Sequence, residues 1–226
     1  MNLETSMQRL RTTSLRAFLL ATACAAAPLA GCSGNEAVGR AEFVALGSAP
    51  LLFEREFIVG SYATKESEDS FWFSDVPLEQ LLAHNENTPV KDAVFLHAQL
   101  IWIPKPGLTP LDPAATNLVV RALIVSDGEV GLYGGAGFAR IDGEPGEERV
   151  EIEVEGGTLT LLEKTAGFND LLSPAGFSGT FAAGFAPEDA AKWRRALSQF
   201  ATNAFGKSMW VDARGSGAFS AALARR

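Results

Sequence analysis

The sequence predicts a mainly β, α+β protein. We expect an antiparallel β-sandwich or flattened barrel, with one C-terminal amphipathic helix and a short helix near residues 76–84. Three observations carry that expectation. Apolar and polar residues alternate at period two, as where Val150, Ile152 and Val154 interleave with Arg149, Glu151, Glu153 and Glu155. Glycine-based turn signals sit between the apolar runs, Asp127-Gly128 foremost among them. The spacings between runs are too short for the helical crossovers that parallel strands require.

The elements follow in order. Residues 51–60 carry apolar and aromatic side chains with Glu54 and Glu56 between them, and Phe71-Trp72-Phe73 follows a charged turn at 65–70. Residues 75–82 predict a short helix, with Asp75 as its cap, Pro77 in its first turn and Leu78, Leu81 and Leu82 on one face. The longest strand candidate is 93–103, where Val94, Leu96, Ala98, Leu100 and Trp102 make an apolar face. Its other face is mixed, with Phe95, His97, Gln99, Ile101 and Ile103, and a Pro-rich loop runs from Pro104 to Pro113.

Residues 118–125 read as an apolar strand broken by Arg121, which Asp127-Gly128 turns back into Val130-Gly131-Leu132-Tyr133. The strand at 149–155 is expected to stop at Gly156-Gly157 and return as Thr158-Leu159-Thr160-Leu161-Leu162, a second hairpin. Residues 176–185 form a small-residue strand bearing Phe177, Phe181 and Phe185. Pro187 then opens the best helix, with Glu188 and Asp189 in the first turn, where the helix dipole favours anions. Trp193, Leu197, Phe200 and Ala204 share one stripe of it, and Gly206 and Lys207 mark its end. An edge strand is expected around Met209-Trp210-Val211. No internal repeat or linker divides residues 42–226, which read as a single β-rich domain.

The start of the chain is of another kind. Arg9, Arg11 and Arg16 precede an apolar run from Ala17 to Ala30, and the only acid before them is Glu4. A positive end, a short apolar run and small residues make the three parts of a secretory signal. A membrane-spanning helix needs about 20 apolar residues, and here Pro28 interrupts a shorter run. The run ends Leu29-Ala30-Gly31-Cys32, which resembles the lipobox of bacterial lipoproteins; the resemblance covers residues 1–31 and Cys32, not the domain. It implies diacylglycerol on the Cys32 thiol, cleavage before Cys32, and acylation of the new amino terminus by a chain such as palmitate. Several acyl chains anchor durably where one holds only marginally. The implied location is the bacterial cell envelope, and Ser33 in place of Asp implies the outer membrane facing the periplasm rather than the inner membrane. Ordinary signal-peptidase sites at Ala23-Cys24-Ala25 and Ala25-Ala26-Ala27 compete with this reading, and Met7 competes with Met1 as the start. Residues 32–41 read as a tether, whose stretch from Ser33 to Gly39 reaches roughly 25 Å at most.

Composition narrows the function classes. Losing residues 1–31 removes three arginines and one glutamate, so the net charge moves from −8 to −10 over 195 residues. That balance argues against nucleic acid, whose phosphates it would repel. Cys24 leaves with the signal and Cys32 takes lipid, so disulfides, cysteine-bound zinc and thiol catalysis are excluded from the domain. Neither a metal nor a cofactor is expected. The histidines His84 and His97 lack metal-ligand spacing, and no Asp-rich calcium loop occurs.

Candidate chemistry is sparse. The cluster Gly131-Leu132-Tyr133-Gly134-Gly135-Ala136-Gly137-Phe138 fails as a nucleotide fingerprint, because Arg140 stands where the third glycine belongs and no helix follows. Bulging or close backbone approach is the expected role of its glycines. Tyr133, Phe138, Trp102 and Arg121 are the candidate ligand or partner surface, with the Pro-rich loop beside them. His84 is expected at a helix end in solvent, and His97, mid-strand beside Gln99, is the sole weak candidate for a catalytic base.

Three readings stand at this level. The leading one is a non-enzymatic lipoprotein, membrane-bound through Cys32, whose domain binds a protein partner in the envelope or a small apolar ligand. The second is a hydrolase of envelope polymers, which requires His97 within about 3 Å of a carboxylate or a shared water. The third is a structural spacer, which requires no cavity above roughly 300 Å³.

Overall fold

The computed structural model describes residues 37–65, 68–85, 87–103 and 116–210, all within the compact unit Asn35–Arg226. Cys32 with the signal before it, the first part of the tether, the Pro-rich loop and Val211 lie outside the described residues. The elements run β1 (Gly39–Ala45), β2 (Leu52–Phe57), β3 (Val59–Lys65), β4 (Glu68–Ser74), α1 (Leu78–Leu82), β5 (Ala93–Leu100), β6 (Leu118–Ser126), β7 (Glu129–Asp142), β8 (Arg149–Lys164), β9 (Ala175–Phe185) and α2 (Pro187–Phe205). None of the described helices is long and apolar enough to cross a membrane.

The strands pair in the order β2-β1-β9-β3-β4-β5-β6-β7-β8, and β8 pairs back onto β9, which closes the sheet into a flattened barrel. Every pairing is antiparallel except β3 with β9, where Ser61 meets Gly184 and Tyr62 meets Phe185. β1 lies between β9 and β2, and β2 leads through Ile58 directly into β3. β1 begins at Gly39, inside the stretch expected to be tether; its alternation puts Ala41, Phe43 and Ala45 inside and Arg40, Glu42 and Val44 outside.

Two cores result. Inside the barrel, Phe43, Phe57, Phe73, Phe177 and Phe181 form a chain of ring contacts, such as Phe73–Phe181 at 4.7 Å, within a larger apolar cluster. Outside it, Trp72, Phe95, Leu123 and Leu132 pack with Trp193, Leu197 and Phe200 of α2. β5 ends at Leu100, short of the expected 103, and Trp102 lies beyond it. Up to there the alternation is as expected, with Val94, Leu96, Ala98 and Leu100 facing inward. Phe95, His97 and Gln99 of the mixed face are buried on the side that carries α2, whereas Ile101 and Ile103 are exposed. Pro187 opens α2, and Gly206 ends it in the left-handed region at φ 67°.

Asp127 and Gly128 both hold positive φ, 52° and 84°, and close the β6–β7 hairpin as the sequence predicts. The second expected hairpin is different. β8 runs unbroken through Gly156-Gly157, and its pairing with β9 shifts between Val154 and Gly157. Gly156, at φ 62°, makes a bulge that bends one long strand around the barrel rather than a turn between two. The actual return from β7 to β8 lies at 143–148. β7 also shifts register between Ala136 and Phe138, and a Cβ on Gly135 would lie 1.8 Å from the Thr158 carbonyl oxygen, so the expected close backbone approach is present.

Two further expectations are corrected. Asp75 does not cap α1, whose N-cap is Pro77 without a side-chain bond. Met209 and Trp210 join no strand; Trp210 is buried against Trp72 and His97.

Candidate functional site

One end of the barrel is open as a cleft of about 420 Å³. Its walls come from the start of β2 (Leu51, Phe53, Arg55), the start of β5 (Asp92, Val94), the β6–β7 hairpin (Ile124 to Asp127, with Glu129) and the loop joining β8 to β9. The position follows from the pairing: β2 bonds only to β1, which leaves its other side facing the ends of β5 and β6.

The wall is braced by charge. Asp75 accepts from Arg55 Nε at 2.5 Å and from the Val94 amide at 2.8 Å, so one buried carboxylate ties β2 to β5. The loop at 165–174 forms the floor. Phe168 and Leu172 drop into the barrel core, and Lys164 Nζ donates to the Phe168 carbonyl at 3.0 Å. The Tyr133 hydroxyl donates to Asp170 Oδ1 at 2.7 Å, and the same oxygen accepts from the amides of Leu172 and Ser173. Burial, then the bond to Asp170 and its charge, push the Tyr133 phenol well above its ordinary range, which leaves it a fixed donor. Glu129 accepts from Thr165 Oγ1 and the Gly167 amide, anchoring the loop's other side.

The sequence-selected residues separate into three places. Tyr133 lines the cleft. Trp102 and Phe138 do meet, edge to face with ring centroids 6.2 Å apart, but elsewhere on the barrel, where the buried Asn117 joins the Trp102 and Ala139 backbones. Arg121 is buried on the outer face, beside His97 in the β5–β6 ladder.

His97 is 3% exposed, and its ring stacks on Trp72 at 4.0 Å. Its Nε2 has no hydrogen-bond partner. Burial first, then the charges of Arg121 and Arg194, lower its pKa to about 3. A neutral imidazole closed off from solvent cannot exchange protons with a substrate. His84 lies at the end of α1 as expected, just past its C-cap, but is half-buried rather than free in solvent: its Nδ1 accepts the Val90 amide at 3.1 Å, and its ring meets Phe200 edge-on. Among the described residues, no group of three or more His, Cys, Asp or Glu side chains converges to hold a metal ion.

Sequence reasoning missed Arg55, Asp75, Asp170 and the 165–174 loop. In the sequence Arg55 looks like ordinary solvated charge and Asp75 like a helix cap, and their pairing exists only once β2 lies against the end of β4. The one usable signal was Asp170 flanked by Phe168, Leu171 and Leu172, an apolar pattern too dense for an idle loop.

The fold and the cleft together define a flattened-barrel β protein with a ligand-sized opening at one end. Comparison with protein-family models, with curated proteins and with solved structures finds no match to this chain.

Proposed function

We propose that the protein is a lipid-anchored envelope protein, held through Cys32, whose barrel-end cleft binds a small, largely apolar ligand without chemically transforming it. The carrying observation is the cleft itself. Its volume of about 420 Å³ falls in the range of small-molecule sites, roughly 300–1,000 Å³, and exceeds what a plain spacer needs. Half its lining residues are aliphatic or phenyl, and the remainder offer a few directed polar groups, the usual composition of a binding site. The hydrolase reading draws no support from His97, whose Nε2 meets no carboxylate.

The test of the cleft is calorimetric titration of a neutral apolar probe, 4-phenylbutanol, into the full chain held in zwitterionic nanodiscs. Ser126→Trp, which places an indole on an exposed cleft position, should abolish binding. Equal binding by both proteins, or none by either, contradicts the reading. The anchor is tested separately: Cys32→Ala should lose lipid labelling and accumulate as uncleaved precursor, and a variant still lipidated refutes it.

A further inference from the structure

We infer that the ligand of this cleft is an amphiphile with a cationic head, an organic ammonium on an apolar body; this rests on the cleft being a binding site, as proposed above. The apolar side chains that line the cleft, Phe53, Val94, Ile124 and Leu172 among them, suit hydrocarbon or a phenyl ring. The charges around its mouth decide the head group. Asp92, Asp127 and Glu129 all line it, and Asp170 lies directly beneath through its bond to Tyr133. Arg55 is the one basic side chain among the described lining residues, and its guanidinium is already committed to the buried Asp75.

The acids also differ in how free they are. Glu129 holds Thr165 and Gly167, and Asp170 holds Tyr133 and two amides. Asp92 and Asp127 are exposed on the rim, where a carboxylate can meet a cation without first being buried. An anionic head in the same place would share the cleft with three lining carboxylates, and like charges brought together cost affinity. Two lysines stand near these acids: Lys91, exposed and next to Asp92 in sequence, and Lys164, whose ammonium is held by the Phe168 carbonyl in the floor; Asp92, Asp127, Glu129 and Asp170 outnumber them. An aliphatic ammonium therefore fits this mouth and a fatty carboxylate does not.

The experiment uses three probes of one shape: 4-phenylbutylammonium, 4-phenylbutanol and 4-phenylbutyrate. Each is titrated calorimetrically into the full chain in zwitterionic nanodiscs, with empty nanodiscs subtracted. The ammonium should bind at least tenfold more tightly than the carboxylate, with the alcohol between them, and added salt should narrow the spread. The double variant Asp92→Asn/Asp127→Asn should weaken the ammonium roughly tenfold, as expected for two partly screened ion pairs, and weaken the alcohol far less. Asn is compatible with the positive φ at position 127, so thermal unfolding of the variant should match that of the unaltered chain. Carboxylate binding equal to or tighter than that of the ammonium overturns the cationic assignment and leaves the cleft a binding site. So does ammonium affinity that is unchanged in a stably folded double variant. Binding of none of the three probes overturns both this inference and the reading on which it rests.

Discussion

Tyr133, a β7 residue inside the barrel, donates its hydroxyl to Asp170 on the loop that floors the cleft, across 2.7 Å and 37 residues of sequence. That single oxygen of Asp170 also accepts two backbone amides, so the phenol helps set the shape of a segment with no regular structure of its own. Removing one donor from a shared carboxylate costs about 1–2 kcal/mol. Tyr133→Phe should lower the unfolding free energy by that amount in urea denaturation. It should also speed amide exchange at Leu172 and Ser173 more than elsewhere. Unchanged exchange in the loop would show that Asp170 holds it unaided.

His97 makes stability depend on pH in a direction the structure dictates. Its folded pKa, about 3, lies below the ordinary histidine value of 6.5, so the unfolded chain binds a proton that the folded chain refuses. Stability from this group is therefore complete above pH 6.5 and is lost as pH falls toward 3, at about 1.4 kcal/mol per unit. His97→Phe keeps an aromatic ring on Trp72 and removes the titration. The stability gap between variant and unaltered chain should shift in the variant's favour with each unit below pH 6. Parallel pH curves for the two proteins would contradict the assignment.

Two glycines separate crowding from conformational cost. Gly135 has the Thr158 carbonyl oxygen 1.8 Å from where a Cβ would stand, whereas Gly146, at φ 92°, has open space around it. Gly146→Ala should cost about 1–2 kcal/mol through its left-handed backbone. Gly135→Ala must push β7 away from β8, and should cost about 3 kcal/mol or more. Chemical denaturation of both variants decides it; equal losses would mean that the β7–β8 approach can relax.

These sites show which parts of the fold were legible in the sequence. Period-two alternation located β5 and the first half of β8, since a face that must be buried prints directly onto residues such as Val94, Leu96 and Ala98; β6 was legible as an apolar run and β9 as a small-residue strand bearing Phe177, Phe181 and Phe185. The Asp127-Gly128 turn was legible because positive φ restricts residue choice. Gly156-Gly157 misled for the same reason: a positive-φ glycine serves a turn or a bulge equally, and only the pairing of β8 with β7 and β9 together selects the bulge. β1 carried a clean alternation at Ala41, Phe43 and Ala45, obscured by the small polar residues that run into it.

The cleft was scarcely legible. Among the described residues singled out as a contact surface, Tyr133 alone lines it. Arg55 and Asp75 meet across 20 residues, and Tyr133 and Asp170 across 37; neither spacing carries a local signal. His97 drew attention for its chemistry, and its burial between Trp72 and Trp210 depends on a segment more than a hundred residues later in the chain.

The most direct test of the account is methyl NMR of the full chain in zwitterionic nanodiscs, titrated with 4-phenylbutanol. Leu51, Val94, Ile124, Leu171 and Leu172 line the cleft, while Ile101 and Ile103 do not. Binding in the cleft should give saturable shifts confined to the first group. Saturable shifts at Ile101 and Ile103 with the cleft methyls unmoved, or no saturable shift anywhere, would contradict it.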